Sequence, residues 1–361
     1  MSTSVFNSVC SNRGCLWKGE VQFSNLRKQN GCRLYFGRSN SLSQKRLQIT
    51  NSKQEKQVNV ALLGASGYTG AEIIRLLANH PFFGITVMTA DRNAGKAIES
   101  VFPHFISQKD LPVMISTSDA NFSDVDAVFC CLPHGTTQEI IKSLPERLKV
   151  VDLSADFRLS NLSEYEEWYG QPHKAPELQA NLIGYKNIII DAKSGVSGAG
   201  RGAKVANLYT ELTEGIMSYG VTRHRHVPEI EQGLSEAANS KVTVSFTPHL
   251  MPMSRGMQST IYIEMAPGVT ADDLYQQLKV SYEGEEFVKL LEKGVVPRTH
   301  DVRGSNYCYM NVFPDRIPGR AIIVSVIDNL MKGASGQALQ NLNIMMGFPE
   351  NTGLGYLPLF P

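Results

Sequence analysis

The sequence predicts an α/β fold, a doubly wound parallel sheet, joined to a second α+β domain built on a mixed sheet. Three observations predict it. An apolar run, Val58–Leu63, leads into Gly64, Gly67 and Gly70 and then into the helical pattern of Ala71–Leu77. Unbroken apolar runs then alternate with helical segments as far as Leu153, as expected of strands buried on both faces of a parallel sheet. From about Lys186 onward strands outnumber helices and several of them alternate, which predicts strands with one buried and one exposed face.

The elements follow in order. Residues 58–63 and 85–90 read as strands on either side of a helix over 70–79. Asp126–Leu132 and Lys149–Leu153 read as two further strands with a helix over 137–143 between them. In the second half, Ile188–Ile190, Val242–Phe246, Ser259–Ile263, Tyr307–Val312 and Ile322–Val326 read as strands. Helices are expected over 205–217, 228–238 and 271–283, and a last helix over 331–346 returns to the first domain. The expected domains are 57–185 plus 330–361 for the parallel sheet and 186–329 for the mixed sheet. Function in such a parallel sheet belongs at the carboxyl ends of its strands.

Composition limits the partners. The chain has 361 residues, 42% of them hydrophobic and 19% charged, the balance of an ordinary globular protein. No run of eighteen apolar residues occurs, so no transmembrane helix is expected. Residues 1–56 hold ten Lys or Arg but only Glu20 and Glu55 as acids, leaving 25 basic and 32 acidic residues after them. That Ser-rich, basic first segment reads as a transit peptide, plastid rather than mitochondrial, because clear Arg amphipathicity is missing. The acidic remainder argues against nucleic acid as a partner. The six cysteines show no C-x-x-C spacing, and His224 and His226 are two apart, so no metal site is expected.

Strand, glycine turn and helix together describe a cradle for a dinucleotide pyrophosphate, the signature of a Rossmann-type domain. The first glycine permits the turn, the second admits the phosphates to the backbone, and the third lets helix pack on strand. Beyond the second strand lie Asp91, Arg92 and Lys96. An acid there favours NAD, whereas Arg92 and Lys96 would pair with the 2′-phosphate of NADP. The balance favours NADP. Leu132–Thr137 and Asp152–Arg158 are polar clusters at strand ends; turn chemistry accounts for the second as well as a functional role does. Ser194–Gly202 is glycine-rich, with hydroxyls and Arg201, a composition suited to an anion nest and a bidentate clamp. Arg223-His224-Arg225-His226 precedes a helix that Pro228 starts, and offers a general acid/base beside anion-binding arginines. The small residues of Asn329–Gln337 could admit a cofactor ring.

Taken together, GASGYTG at 64–70, LPHGTTQ at 132–138, DLSADFRL at 152–159, SGVSGAGR at 194–201, HRHVPEI at 224–230 and NLMKGASGQALQN at 329–341 resemble the plant-type N-acetyl-gamma-glutamyl-phosphate reductases. These are arginine-pathway relatives of the aspartate-semialdehyde dehydrogenases. The resemblance covers essentially all of 57–361. It implies a second domain of the semialdehyde-dehydrogenase type, homo-oligomers, and NADPH-dependent reduction of N-acetyl-glutamyl phosphate to its semialdehyde. Carried over by position, Gly64, Ser66, Gly67, Tyr68, Thr69 and Gly70 hold the pyrophosphate. Ser197 and Arg201 line the substrate site, His226 is the acid/base, and Arg225 lies near the substrate anion. Asn329 and Lys332 approach the nicotinamide.

One departure is large. The family's nucleophile is a cysteine in a turn resembling N-P-G-C-Y-P-T, between a PEL motif and the strand before SGVSGAGR. Here Pro176-Glu177-Leu178-Gln179 runs straight into Ala180-Asn181-Leu182-Ile183, and no cysteine lies between Cys131 and Cys308. A segment the size of a strand, that turn and a long helix is missing. The reaction needs the thiolate to displace phosphate and form the thioester that accepts hydride. The sequence therefore predicts cofactor binding with little or no reductase turnover. Two other readings stand beside it: a non-catalytic NADP-binding subunit that joins full-length protomers, and a related semialdehyde dehydrogenase acting on another acyl phosphate.

Overall fold

A computed structural model of the chain describes residues 58–159, 161, 167, 188–202, 205, 208–238 and 240–359. The expected transit segment and the junction at Gln179–Ala180 lie outside the described residues.

Four strands, β1 (Val58–Leu63), β2 (Phe83–Thr89), β3 (Ala127–Cys130) and β4 (Lys149–Asp152), form an all-parallel sheet in the order β2-β1-β3-β4. The chain winds one way from β1 to β2 and the other way from β1 to β3, so the carboxyl end of β1 is the topological switch point. Helix α1 (Tyr68–Leu77) crosses from β1 to β2, and α2 (Thr137–Ser143) from β3 to β4. Alternate side chains of β1 feed opposite cores. Val60 and Leu62 pack with Ile73, Ile74 and Leu76 of α1, while Ala61 and Leu63 pack with Val128, Cys130 and the α2 residues Ile140 and Ile141. Both faces of the strand are buried, which is why its sequence is apolar without alternation.

Among the described residues the second sheet has seven strands: β5 (Ile188–Gly195), β6 (Met217–Ser218), β7 (Val244–Met251), β8 (Met257–Glu264), β9 (Val288–Leu290), β10 (Cys308–Pro314) and β11 (Arg320–Ile327). Their order is β6-β7-β5-β8-β11-β10-β9, with β5–β7 and β9–β10 parallel and the other pairs antiparallel. Strand β11 alternates only in part: Ala321 and Ile323 are buried on one face and Val324 and Val326 on the other.

One expected element differs. The helix over 205–217 is reduced to a single turn, α3 (Tyr209–Leu212), followed by β6. Thr213 turns extended, with φ of −67° and ψ of 138°, and Glu214 then takes φ of +61°, so the helical run stops after one turn. Helix α4 (Val227–Ala238) and helix α5 (Ala271–Ser281) stand where the sequence places them. The second is closed by a capping box, Thr270 Oγ1 accepting from Asp273 N–H at 3.2 Å while Thr270 N–H donates to Asp273 Oδ2 at 2.8 Å.

After β11 a π turn over Met331–Ser335 leads into α6 (Gly336–Met345). Leu339 and Leu342 are fully buried in the cluster that holds Ile73 and Leu76, so the last helix packs on the first domain.

Candidate active site

The glycine turn sits at the switch point. Gly64 takes φ of +82°, and a Cβ there would lie 2.5 Å from the carbonyl oxygen of Cys131. A Cβ on Gly70 would lie 2.5 Å from Gly64 O and 2.8 Å from Ala65 Cα, so α1 rests directly on the turn. Gly67 is different: it is the extended N-cap of α1, and its nearest neighbour would be 3.5 Å away. The first and third glycines thus shape the cradle, and the second leaves its mouth open. The first backbone N–H groups of α1, on Tyr68, Thr69 and Gly70, have no partner within the helix and carry its positive dipole end. The cradle therefore fits a pyrophosphate.

Arg201 closes one side. Its guanidinium donates to Ser66 O at 3.2 Å and Val101 O at 3.3 Å and lies 4.3 Å from the Phe102 ring centroid. The sequence expectation put Arg201 in the substrate site; the structure places it on the glycine turn. At the end of β2, Asp91 Oδ1 accepts from Thr117 N–H at 2.7 Å. Arg92, by contrast, is exposed and has no hydrogen-bond partner among the described residues. The acid is committed to the loop and the arginine is available for a phosphate.

Ser197, expected to line the substrate site, and Asn329, expected on the nicotinamide side, are brought into contact. Asn329 Nδ2 donates to Ser197 Oγ at 2.8 Å, and Asn329 Oδ1 accepts from Gly256 N–H at 2.8 Å. Lys332 does not join them. Its ammonium donates to Gln340 Oε1 at 2.8 Å and lies 5.5 Å from the Phe287 ring centroid. Burial pulls its pKa down to about 8. The π turn that carries Lys332 departs from α-helical phase, and the side chain is spent on the contact with α6 rather than beside Asn329.

His226 stands just before α4, and its Nδ1 lies 3.0 Å from Glu229 Oε1. A carboxylate only accepts, so Nδ1 is the donor in this contact, and Nε2 points to the other side of the ring. Glu229 is 5% exposed, and its other oxygen accepts from Arg158 Nη1 at 3.1 Å. Arg158 in turn donates to Ser154 O and Leu153 O. The sequence reading missed Glu229; the i, i+3 spacing from His226 at a helix start was the available signal. Arg225 is exposed beside this group, and its charge acts on His134 and His224. His134 Nδ1 accepts from Ala155 N–H at 2.9 Å while Asp156 accepts from Gly135 N–H, so the 132–138 and 152–158 turns brace each other.

Burial, reinforced by Arg225 and Arg158, lowers His134 to about 4; burial, reinforced by His226 and Arg225, lowers His224 to about 4. Both lie below the unfolded value of 6.5. Between those values the unfolded chain binds more protons, so their contribution is complete above pH 6.5 and is lost as pH falls towards 4. The urea midpoint is expected to drop between pH 7 and pH 5, the loss from two histidines exceeding the opposite contribution of Asp152, whose carboxyl burial raises to about 6. A flat midpoint across it would contradict the assignment.

The three described thiols are poor nucleophiles. Burial pushes Cys131 up to about 12, against a hydrogen bond from Thr69 and with the Asp152 carboxylate adding to the rise. Cys130 is fully buried and raised well above its usual value by burial, then by Asp152 and Cys131. Cys308 is 1% exposed in β10, its Sγ 3.4 Å from Ser325 Oγ. A reactive cysteine needs an exposed, electropositive setting, and none of these has one.

Comparison with known proteins agrees with this geometry. Residues 59–196 match the semialdehyde dehydrogenase NAD binding domain, and residues 171–329 match the semialdehyde dehydrogenase dimerisation domain. An Arabidopsis thaliana protein named probable N-acetyl-gamma-glutamyl-phosphate reductase, chloroplastic, is 64% identical over 406 positions, covering 100% of both chains. The difference between 406 and the 361 residues here means that at least 45 alignment positions carry no residue of this chain. The N-acetyl-gamma-glutamyl-phosphate reductase of Rhodospirillum rubrum is 49% identical over 351 positions, covering 85% of this chain and 99% of its own. Among solved structures, aspartate semialdehyde dehydrogenase with NADP from Candida albicans superposes with a TM-score of 0.61 at 18% identity, covering 82% of this chain and all of that one. That likeness supports the fold alone. On sequence identity across its whole length, the chain belongs to the N-acetyl-gamma-glutamyl-phosphate reductase family.

Proposed function

We propose that this chain binds NADP and N-acetyl-glutamyl phosphate, the cofactor and substrate of its family's step in arginine biosynthesis, with reductase turnover largely lost. The observation that carries this reading is an intact glycine cradle in a chain whose described thiols are all buried or strongly raised in pKa. NADPH, when bound, supplies the hydride. The pyrophosphate belongs to Gly64, Ser66, Gly67, Tyr68, Thr69 and Gly70, and the 2′-phosphate to Arg92. Ser197, held by Asn329, and Arg225 orient the acyl phosphate; His226, fixed by Glu229, holds or moves a proton at Nε2. Arg201 steadies the cradle from the Ser197 side. Residues 57–185 with 330–361 serve the nucleotide, and 186–329 serve the substrate and oligomerisation.

The missing step is the covalent one. The at least 45 unmatched positions and the direct passage from Gln179 to Ala180 support loss of the nucleophile segment. A second reading, a non-catalytic subunit that assembles with full-length protomers, is favoured by the seven-stranded sheet. Residues 171–329 match a dimerisation domain, and Ile189 on β5 is 49% exposed. The segment 1–56 directs the protein to the plastid stroma; the chloroplastic naming of the Arabidopsis and Oryza sativa relatives supports the plastid.

Titration of Arg92→Ala with both nucleotides tests the cofactor reading. The variant is expected to bind NADP about 10-fold or more weakly, the loss of one charge-assisted contact, with NAD binding unchanged. Equal NADP affinity in both proteins would remove Arg92 from the site.

A further inference from the structure

Arg255 lies in the turn between β7 and β8 and forks onto Glu72 of α1. Its Nη2 donates to Glu72 Oε2 at 2.7 Å and its Nη1 to Oε1 at 3.0 Å, with Nη1 also 3.4 Å from Asp328 Oδ2. Glu72 is 4% exposed and Asp328 fully buried. Burial favours the neutral acid at Glu72, yet the hydrogen bonds and charges of Arg255 and Arg75 hold its carboxyl below the ordinary value. Asp328 also accepts from the backbone N–H groups of Gly304, Leu330 and Met331.

The two ends of this ion pair meet the two halves of the candidate site. Glu72 is two residues beyond Gly70, in the first turns of the helix whose N-terminus faces the pyrophosphate cradle. The turn that carries Arg255 holds the anion loop by its backbone. Gly195 N–H donates to Gly256 O, Val196 N–H to Met253 O and Ser197 N–H to Ser254 O. The turn then returns through Gly256 N–H to Asn329, which holds the Ser197 hydroxyl. A bidentate guanidinium–carboxylate fork fixes orientation as well as distance. One side chain therefore joins the nucleotide helix to the Ser197 loop.

We propose that Arg255 is a positioning residue that couples nucleotide occupancy at α1 to the geometry of the Ser197 loop, so that the two ligands strengthen each other's binding. The inference rests on the reading that Gly64–Gly70 takes NADP. Coupling of this kind is reciprocal.

The full chain is titrated with NADP, and with N-acetylglutamate as a stable acidic analogue of the substrate, each alone and in the presence of the other. In the native protein each ligand is expected to tighten the other by about 5-fold or more. Replacing Arg255 alone removes the two-pronged partner of a buried carboxylate, leaving Glu72 only its contact with Arg75 at 2.8 Å, and destabilises the fold. The Arg255→Met, Glu72→Gln double variant removes both charges and is expected to fold. In it the mutual tightening falls to about 1-fold while NADP alone still binds. Arg255→Lys keeps the charge without the fork and is expected to lose part of the coupling. A merely structural tie would move the melting temperature and leave the coupling factor alone. Full coupling in these variants, or no coupling in a native chain that binds both ligands, overturns the proposal. Failure of the native chain to bind NADP overturns the functional reading, and this inference with it.

Discussion

Alanine at Gly64 is expected to abolish NADP binding and to lower stability by about 2–5 kcal/mol, the combined cost of a left-handed non-glycine residue and of overpacking. The backbone there has φ of +82°, and the new Cβ would lie 2.5 Å from Cys131 O and 2.9 Å from its carbonyl carbon. Backbone atoms of a central parallel strand cannot step aside as a side-chain end can. Relief would require β1 and β3 to separate where Cys131 N–H donates to Leu63 O at 2.8 Å. Gly67→Ala is the matched control. Its Cβ meets nothing closer than 3.5 Å and its φ is −85°, so stability is expected to hold while the methyl obstructs the mouth of the cradle. NADP titration and urea unfolding of the two variants separate shape from access. A Gly64→Ala protein that binds NADP as tightly as the native chain would contradict the cradle.

The first domain was legible because its signals are local. A strand, a glycine turn and a helix follow one another within twenty residues, and α1 starts two residues before the sequence places it. Pro228 marks the start of α4, and Thr270 with Asp273 caps α5. The helix expected over 205–217 failed because periodicity was read through Thr213-Glu214-Gly215, where the backbone turns extended at Thr213 and left-handed at Glu214. Ser197 with Asn329 was readable as chemistry but not as contact, since 132 residues separate them. Arg255 carried no local signal at all: its meaning comes from Glu72, 183 residues away. The contact of Lys332 with Gln340 was hidden for a related reason, because the π turn changes the phase of the side chains that follow Leu330.

The largest effect expected is on turnover. Removing a covalent nucleophile costs on the order of 10⁴–10⁶ in kcat. Cys131, the thiol nearest the glycine turn, offers no substitute. With its pKa pushed to about 12, only about 10⁻⁴ to 10⁻⁵ of it is thiolate near neutral pH, against several per cent for an ordinary cysteine. His226, Glu229 and Arg158 remain assembled, so on the proposed reading the proton carrier is in place and the acyl acceptor is what is missing.

The reverse reaction measures this most directly: N-acetylglutamate semialdehyde, phosphate and NADP given to this chain and to the Arabidopsis relative side by side, with NADP binding measured on the same samples. The account predicts saturable NADP binding by both and turnover by this chain at least about 10⁴-fold below the relative's. Turnover within tenfold of the relative's would contradict it.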